Sequence, residues 1–172
     1  RTAGAFASRG IRANHVTSCH SLEPIQHNIT HFIRNRFLTK HFICDGSTIQ
    51  KLIVAKNHIP AVKTTVVHNG IDPDDMKRDP EQRKKIRKEF GVTDDEILIG
   101  NTGRMVRFKG QRALISAFRS VADHVKNVKL VIVGDGELRL ELIEYSRILR
   151  LEDKVIFTGF RDDLKAVYSA FD

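Results

Sequence analysis

Six short apolar runs punctuate the chain, and each is followed by a stretch with helical spacing. The runs are Ala13–Cys19, His41–Cys44, Thr64–Val67, Glu96–Gly100, Val128–Val133 and Lys154–Phe157. Several, such as Leu130-Val131-Ile132-Val133, are apolar at consecutive rather than alternate positions. A strand of that kind is buried on both faces, as in a parallel sheet covered by helices. Helices are predicted over Ile25–Thr39, Ser47–Asn57, Glu81–Phe90, Gln111–Val125 and Leu138–Leu149, with a last one starting near Asp163. Strands and helices alternating in this way build an α/β fold with doubly wound parallel sheets.

The stretch Gln111–Val125 places Leu114, Ile115, Phe118, Val121, Ala122 and Val125 on one face, with Arg112, Arg119 and Asp123 opposite. Such a stripe packs on a sheet. Leu138, Leu142, Tyr145 and Leu149 form a second stripe. The polar segment from Asp72 to Pro80 has two prolines and no periodicity, so 73–80 is predicted to link two α/β units, 1–72 and 81–172. Pro80 suits the first turn of the next helix. Neither end carries a cap or turn signal, and Phe171-Asp172 falls inside a predicted helix. The chain is therefore expected to be a piece of a longer protein, with both units truncated.

Composition adds three constraints. With 172 residues, 41% of them hydrophobic and 29% charged, the chain can bury a core. It has neither a secretory leader nor an apolar run of about 18 residues, so a cytoplasmic placement is expected. Cys19 and Cys44 lack Cys-x-x-Cys spacing and are predicted to be buried, reduced thiols.

The net charge of +8 is concentrated early: residues 1–72 carry nine Lys/Arg against three Asp/Glu, and seven of the eight histidines. Such a bias suits an anionic partner, a membrane surface among them, or is simply a solvated face. No zinc-finger spacing, basic helix with interleaved aromatics or RNP-like strand is present, so no nucleic-acid partner is expected.

Candidate chemistry lies in the turns that follow the strands. The run Ile97–Gly100 leads into a loop bearing Gly103, Arg104, Lys109 and Gly110, then a helix. Arg104 offers a planar fork for phosphate oxygens and Lys109 a mobile point charge. Gly103 and Gly110 would let the backbone approach a ligand, and the helix after Lys109 would turn its positive end into the same space. This is either an anion site, with a nucleotide diphosphate as its expected occupant, or a basic surface loop.

Gly134-Asp135-Gly136 marks a second tight turn, but Arg139 stands where a GxGxxG fingerprint needs glycine, so that motif fails. The Asn69-Gly70 pair after His68 supplies a third turn. His15, His20, His27 and His31 lack metal-site spacing, and no metal is expected. His20 directly follows Thr17-Ser18-Cys19 and would either project from a sheet edge toward a cleft or sit exposed on a loop. No glycosidase-like carboxylate pair is visible.

Together these residues resemble the retaining, nucleotide-sugar-dependent glycosyltransferases of family 4 (group 1), which have the two-Rossmann GT-B architecture. The matching segments are Val66-Val67-His68-Asn69-Gly70-Ile71-Asp72, Gly103-Arg104 with Lys109-Gly110, Val133-Gly134-Asp135-Gly136, and Val155-Ile156-Phe157-Thr158-Gly159-Phe160. They run in order across residues 63–172. Thr17-Ser18-Cys19-His20-Ser21-Leu22 and Asp45-Gly46-Ser47 match less sharply.

The resemblance implies two Rossmann-like domains, an acceptor-side one over 1–72 and a nucleotide-sugar-binding one over 81–172. It implies a metal-independent, hexosyltransferase-type enzyme that moves a sugar from a nucleotide-diphosphate sugar to a glycan or glycolipid hydroxyl with retention, using no separate cofactor. Arg104 and Lys109 would hold the diphosphate and stabilise the leaving nucleotide. Gly103, Gly134 and Asp135 would lie beside the nucleotide, the loop after Gly159, especially the backbone of Phe160 and Arg161, would flank the base, and Asn69 and Gly70 would sit at the hinge side of the cleft. His20 would face the reacting sugar and acceptor. The family's E-x7-E pair and its glycine-rich donor loop are absent from this sequence, so this piece is expected to be inactive alone. An epimerase or phosphorylase on the same fold, or a non-catalytic nucleotide-binding remnant, are the alternatives.

Overall fold

A computed structural model describes residues 13–20 and 29–172, together with Ala5 and Ala7. The chain divides into two compact units, Arg1–Ile71 and Asp72–Asp172. Each is α/β, and each carries a three-stranded sheet that is parallel throughout.

In the first unit β1 (His15–Cys19), β2 (Thr39–Cys44) and β3 (Thr64–Val66) lie in that order. Phe42 and Cys44 of the central strand are fully buried, and α2 (Ser47–Asn57) lays Ile49 and Ile53 against them, with Ile59 closing the cluster. Before β2 come α1 (Ile29–Ile33) and a π-helical turn, Arg34–Leu38. The helix expected over Ile25–Thr39 therefore gives way at its end, because Thr39 already pairs with β1 opposite His15. Residues 25–28, including His27, and Ser21 and Leu22 lie outside the described residues.

In the second unit the order is β4 (Ile97–Thr102), β5 (Val128–Val133), β6 (Val155–Gly159). Its consecutive apolar run does what that pattern requires, because β5 feeds two cores. Val128, Leu130 and Ile132 join Ile115, Phe118, Ala122 and Leu142 from α4 (Gln111–His124) and α5 (Arg139–Ile148) on one face. Val131 and Val133 join Ile86, Leu98, Val167 and Ala170 on the other, under α3 (Pro80–Glu89) and α6 (Leu164–Ala170). Val121, expected on the apolar face of α4, is instead 39% exposed. That helix buries Gln111 as the first residue of its inner stripe.

The polar segment 73–80, expected as a linker, is part of the second unit. Asp79 caps α3 through the Glu81 and Gln82 amides, with Pro80 in the first turn. The Asp79 amide donates to Ser169 Oγ at 3.0 Å, and Arg78 donates to the Phe171 carbonyl. The last helix ends at Ala170 rather than continuing through Asp172. From there the chain returns to β4, where the Asp172 amide donates to the Leu98 carbonyl and its carboxylate accepts from the Leu98 amide at 2.8 Å. The same carboxylate takes Arg83 at 2.6 Å and the buried Arg87 at 3.0 Å.

Burial pushes the Asp172 carboxyl up, but the hydrogen bonds from Leu98, Arg83 and Arg87 overcome it and hold the group down at about 2. A lowered folded-state value stabilises above the ordinary 3.8 and is lost as pH falls toward 2. About 2 kcal/mol of stability should therefore disappear between pH 5 and pH 2. Thermal midpoints against pH should show that slope in the wild type and a flatter one in Asp172→Asn.

Candidate functional site

The carboxyl ends of β4, β5 and β6 converge on a cavity of about 420 Å³. Gly103 and Arg104 follow β4, Gly134 and Asp135 follow β5, and Phe160 and Arg161 follow β6; all six line it. Parallel register brings them together, since Thr102 pairs with Val133 and Val133 with Gly159. Ligands of open α/β sheets bind at such strand ends.

Some of the glycines also serve the packing of one loop on another. Nothing lies within 4 Å of a Cβ built on Gly103 or Gly110. The close approach is between loops of the protein itself. A Cβ on Gly134, at φ +136°, would stand 2.1 Å from the Gly103 carbonyl oxygen, and one on Gly136 would stand 2.5 Å from that of Met105. Backbone bonds then staple the two loops. Gly103 N donates to Val133 O at 2.9 Å, Met105 N to Asp135 O at 2.8 Å, and Leu138 N to Met105 O at 3.1 Å. Met105 is fully buried beneath Arg104 as the anchor of that loop.

Three cations behave differently. The Arg104 guanidinium is exposed, and among the described residues it has neither a hydrogen bond nor an ion pair. Its carbonyl oxygen accepts from Gln111 Nε2 at 2.9 Å, so the first residue of α4 fixes its main chain. Arg161 also lines the cavity, but its guanidinium is spent on Asp163 and on Glu89 of α3, and it stacks 5.4 Å from the Phe90 ring centre. The Asp163 carboxylate, and after it Glu89, raise the Arg161 value further, and Arg161 in turn lowers that of Asp163. Arg161 therefore braces the β6 loop, its positive charge met by two carboxylates. Lys109 is exposed on the turn Arg107–Lys109, its Nζ 5.7 Å from the Phe108 ring centre, and it is not on the cavity wall.

Phe160 stands 80% exposed on the cavity wall. Thr102 at the end of β4 shares a 2.6 Å hydrogen bond with Tyr168 of α6. Gln111, Glu89 and Asp163 are the residues sequence reasoning missed here. Asp163, two positions from Arg161, was the most accessible to it.

His20, Asn69 and Gly70 belong to the first unit. His20 follows β1 at its carboxyl edge, as predicted, with its side chain 60% exposed. Asn69 and Gly70 are exposed beyond β3. Among the described residues no group of three or more His, Cys, Asp or Glu could hold a metal ion.

The model of the family "Glycosyl transferases group 1" matches residues 82–172, and the chain belongs to that family. The uncharacterized glycosyltransferase MJ1607 of Methanocaldococcus jannaschii is 33% identical over 144 residues, which is 79% of this chain and 37% of the relative. The 2-deoxystreptamine glucosyltransferase of Streptomyces kanamyceticus is 32% identical over 110 residues, 62% of this chain and 28% of its own. The crystal structure of Anabaena Alr3699/HepE in complex with UDP and glucose superimposes with a TM-score of 0.84 at 28% identity. That superposition covers 98% of this chain and 47% of the Anabaena chain. The chain thus spans about a third of the length of these curated relatives.

Proposed function

We propose that the intact protein transfers a glycosyl group from a nucleotide-diphosphate sugar to an acceptor hydroxyl, with the anomeric configuration retained. The supporting observation is the unpaired Arg104 guanidinium at a strand-end cavity that Gly134, Asp135 and Phe160 also line. A complex of a 28% identical fold with UDP and glucose supports the same donor class. In this assignment the exposed face of Phe160 carries the base, and Arg161 holds the loop that presents it. Arg104 meets the diphosphate. Lys109, on its long stem at the adjoining turn, swings in to share the charge as the nucleotide leaves. Charge compensation by these two side chains gives metal-independent transfer. His20 is assigned to the reacting sugar and acceptor, and Asn69 and Gly70 to the chain passage beyond β3.

Calorimetric titration of the intact protein with UDP-, GDP- and ADP-sugars should give saturable binding to at least one. NMR of the transfer product should show the donor's anomeric configuration. Absence of binding to all three, or inversion in the product, would overturn the proposal.

The acceptor is proposed to be a glycan or glycolipid reached at the surface of an anionic membrane on its cytoplasmic side. Among the described residues no helix is long and apolar enough to cross a membrane. Yet Ile29, Phe32 and Phe37 are 70%, 54% and 67% exposed on α1 and the turn after it, beside Arg36, which lies 5.8 Å from the Phe37 ring centre. Apolar side chains rimmed by cations suit an anionic interface. Sedimentation should therefore recover more protein with anionic than with neutral vesicles, and Phe32→Ser/Phe37→Ser should abolish the difference.

A further inference from the structure

Asp45 stands between two imidazoles at the carboxyl edge of the first sheet. Its carboxylate Oδ2 lies 3.4 Å from His20 Nδ1, and its main-chain oxygen lies 3.3 Å from His68 Nδ1. The three residues follow β1, β2 and β3 in turn. The pairing of Cys19 with Cys44 and of Cys44 with Val66 brings them to one place. Asp45 is itself fixed, because its amide donates to the Cys19 carbonyl at 3.3 Å and its side chain is only 18% exposed.

A main-chain carbonyl and an ionised carboxylate can only accept hydrogen bonds. Each Nδ1 facing Asp45 must therefore carry the hydrogen, and in a neutral ring Nε2 is left as a bare lone pair. An unconstrained histidine side chain favours the opposite tautomer. The partner oxygens thus select a form of both rings that solvent alone would not.

We infer that Asp45 is a positioning residue that fixes His20 with Nε2 as the hydrogen-bond acceptor for a substrate hydroxyl. This rests on the assignment of His20 to the reacting site. The outward His20 ring, more than half exposed, leaves Nε2 accessible, while the shielded carboxylate behind it holds the ring's orientation. In this tautomer Nε2 accepts a proton or hydrogen bond and cannot donate one until the ring is protonated.

Nitrogen-15 NMR of histidine-labelled protein, at a pH where the rings are neutral, reads each tautomer directly. Wild-type His20 and His68 should both be Nδ1–H. In Asp45→Ala, His20 should turn predominantly to Nε2–H. His68, whose partner is a main-chain oxygen, should stay Nδ1–H, and that retention also reports that the strand edge remains folded. In transfer assays of the intact protein the same variant should lose kcat about tenfold or more with donor KM unchanged. A wild-type His20 in the Nε2–H form, or a His20 tautomer indifferent to Asp45→Ala, would sink the inference. If instead His20→Ala keeps full kcat, the assignment of His20 to the reacting site fails, and the tautomer measurement still decides whether Asp45 sets the ring.

Discussion

Arg104→Ala is expected to weaken nucleotide-sugar binding about tenfold to a hundredfold while leaving the fold intact. A hydrogen bond to a charged group contributes about 1.5–3 kcal/mol, and each 1.4 kcal/mol is about tenfold in affinity. The Arg104 guanidinium is exposed and, among the described residues, makes no ion pair or hydrogen bond, so its removal strands no protein partner. Its carbonyl bond to Gln111 survives any side-chain change. Arg161→Ala should behave oppositely. It leaves Asp163 and Glu89 without their cation, so it should lower the melting temperature and disturb the β6 loop. Titration and thermal melting of both variants, with Arg147→Ala as an exposed control, separate the two roles. Equal loss of binding in Arg104→Ala and Arg147→Ala would rule out Arg104 as the phosphate ligand.

Gly134→Ala should be the most damaging small substitution in the second unit. The added methyl would lie 2.1 Å from the Gly103 oxygen, at a φ of +136° that side chains rarely adopt. Backbone strain and overpacking are each worth about 1–3 kcal/mol, so a loss of roughly 3 kcal/mol or more is expected. For a unit of this size that corresponds to a fall of roughly 12 °C or more in melting temperature. The neighbouring atoms are main chain and cannot swing aside, so the Arg104 loop must move with it. Gly103→Ala, where nothing lies within 4 Å, meets only its own φ of +150° and should cost less. Melting curves of the two variants give the comparison directly. Equal stability of Gly134→Ala and wild type would show that the loops are not stapled as described.

Where the strands and helices lie was readable from local pattern, because burial on two faces leaves consecutive apolar residues and burial on one leaves a helical stripe. The parallel β5 and most of the inner faces of α4 and α5 follow from that alone, Val121 and Gln111 of α4 excepted. What local pattern could not carry was contact across long separations. The segment Asp72–Pro80 looks like a linker by composition, yet Asp79 bonds Ser169 ninety residues away. Arg161 carries no local sign of its partner Glu89, which lies 72 residues upstream. Gly134 and Gly136 read only as tight turns, and nothing local shows that their missing side chains make room for the main chain of Gly103 and Met105. The grouping of Gly103, Arg104, Gly134, Asp135, Phe160 and Arg161 is implied by the family resemblance, and in the structure all six follow parallel strands of one sheet. Lys109 follows the same strand as Arg104, but the turn that carries it does not line the cavity.

Cys19 and Cys44 sit side by side in register, each one residue before the His20 and Asp45 that the first sheet presents at its edge. Both are buried, and burial raises the Cys44 thiol above its ordinary value. A thiol held protonated and shielded reacts with an alkylating reagent only when its surroundings open. The rate of Cys44 alkylation is therefore a built-in clock for opening of that strand edge, readable without any introduced label.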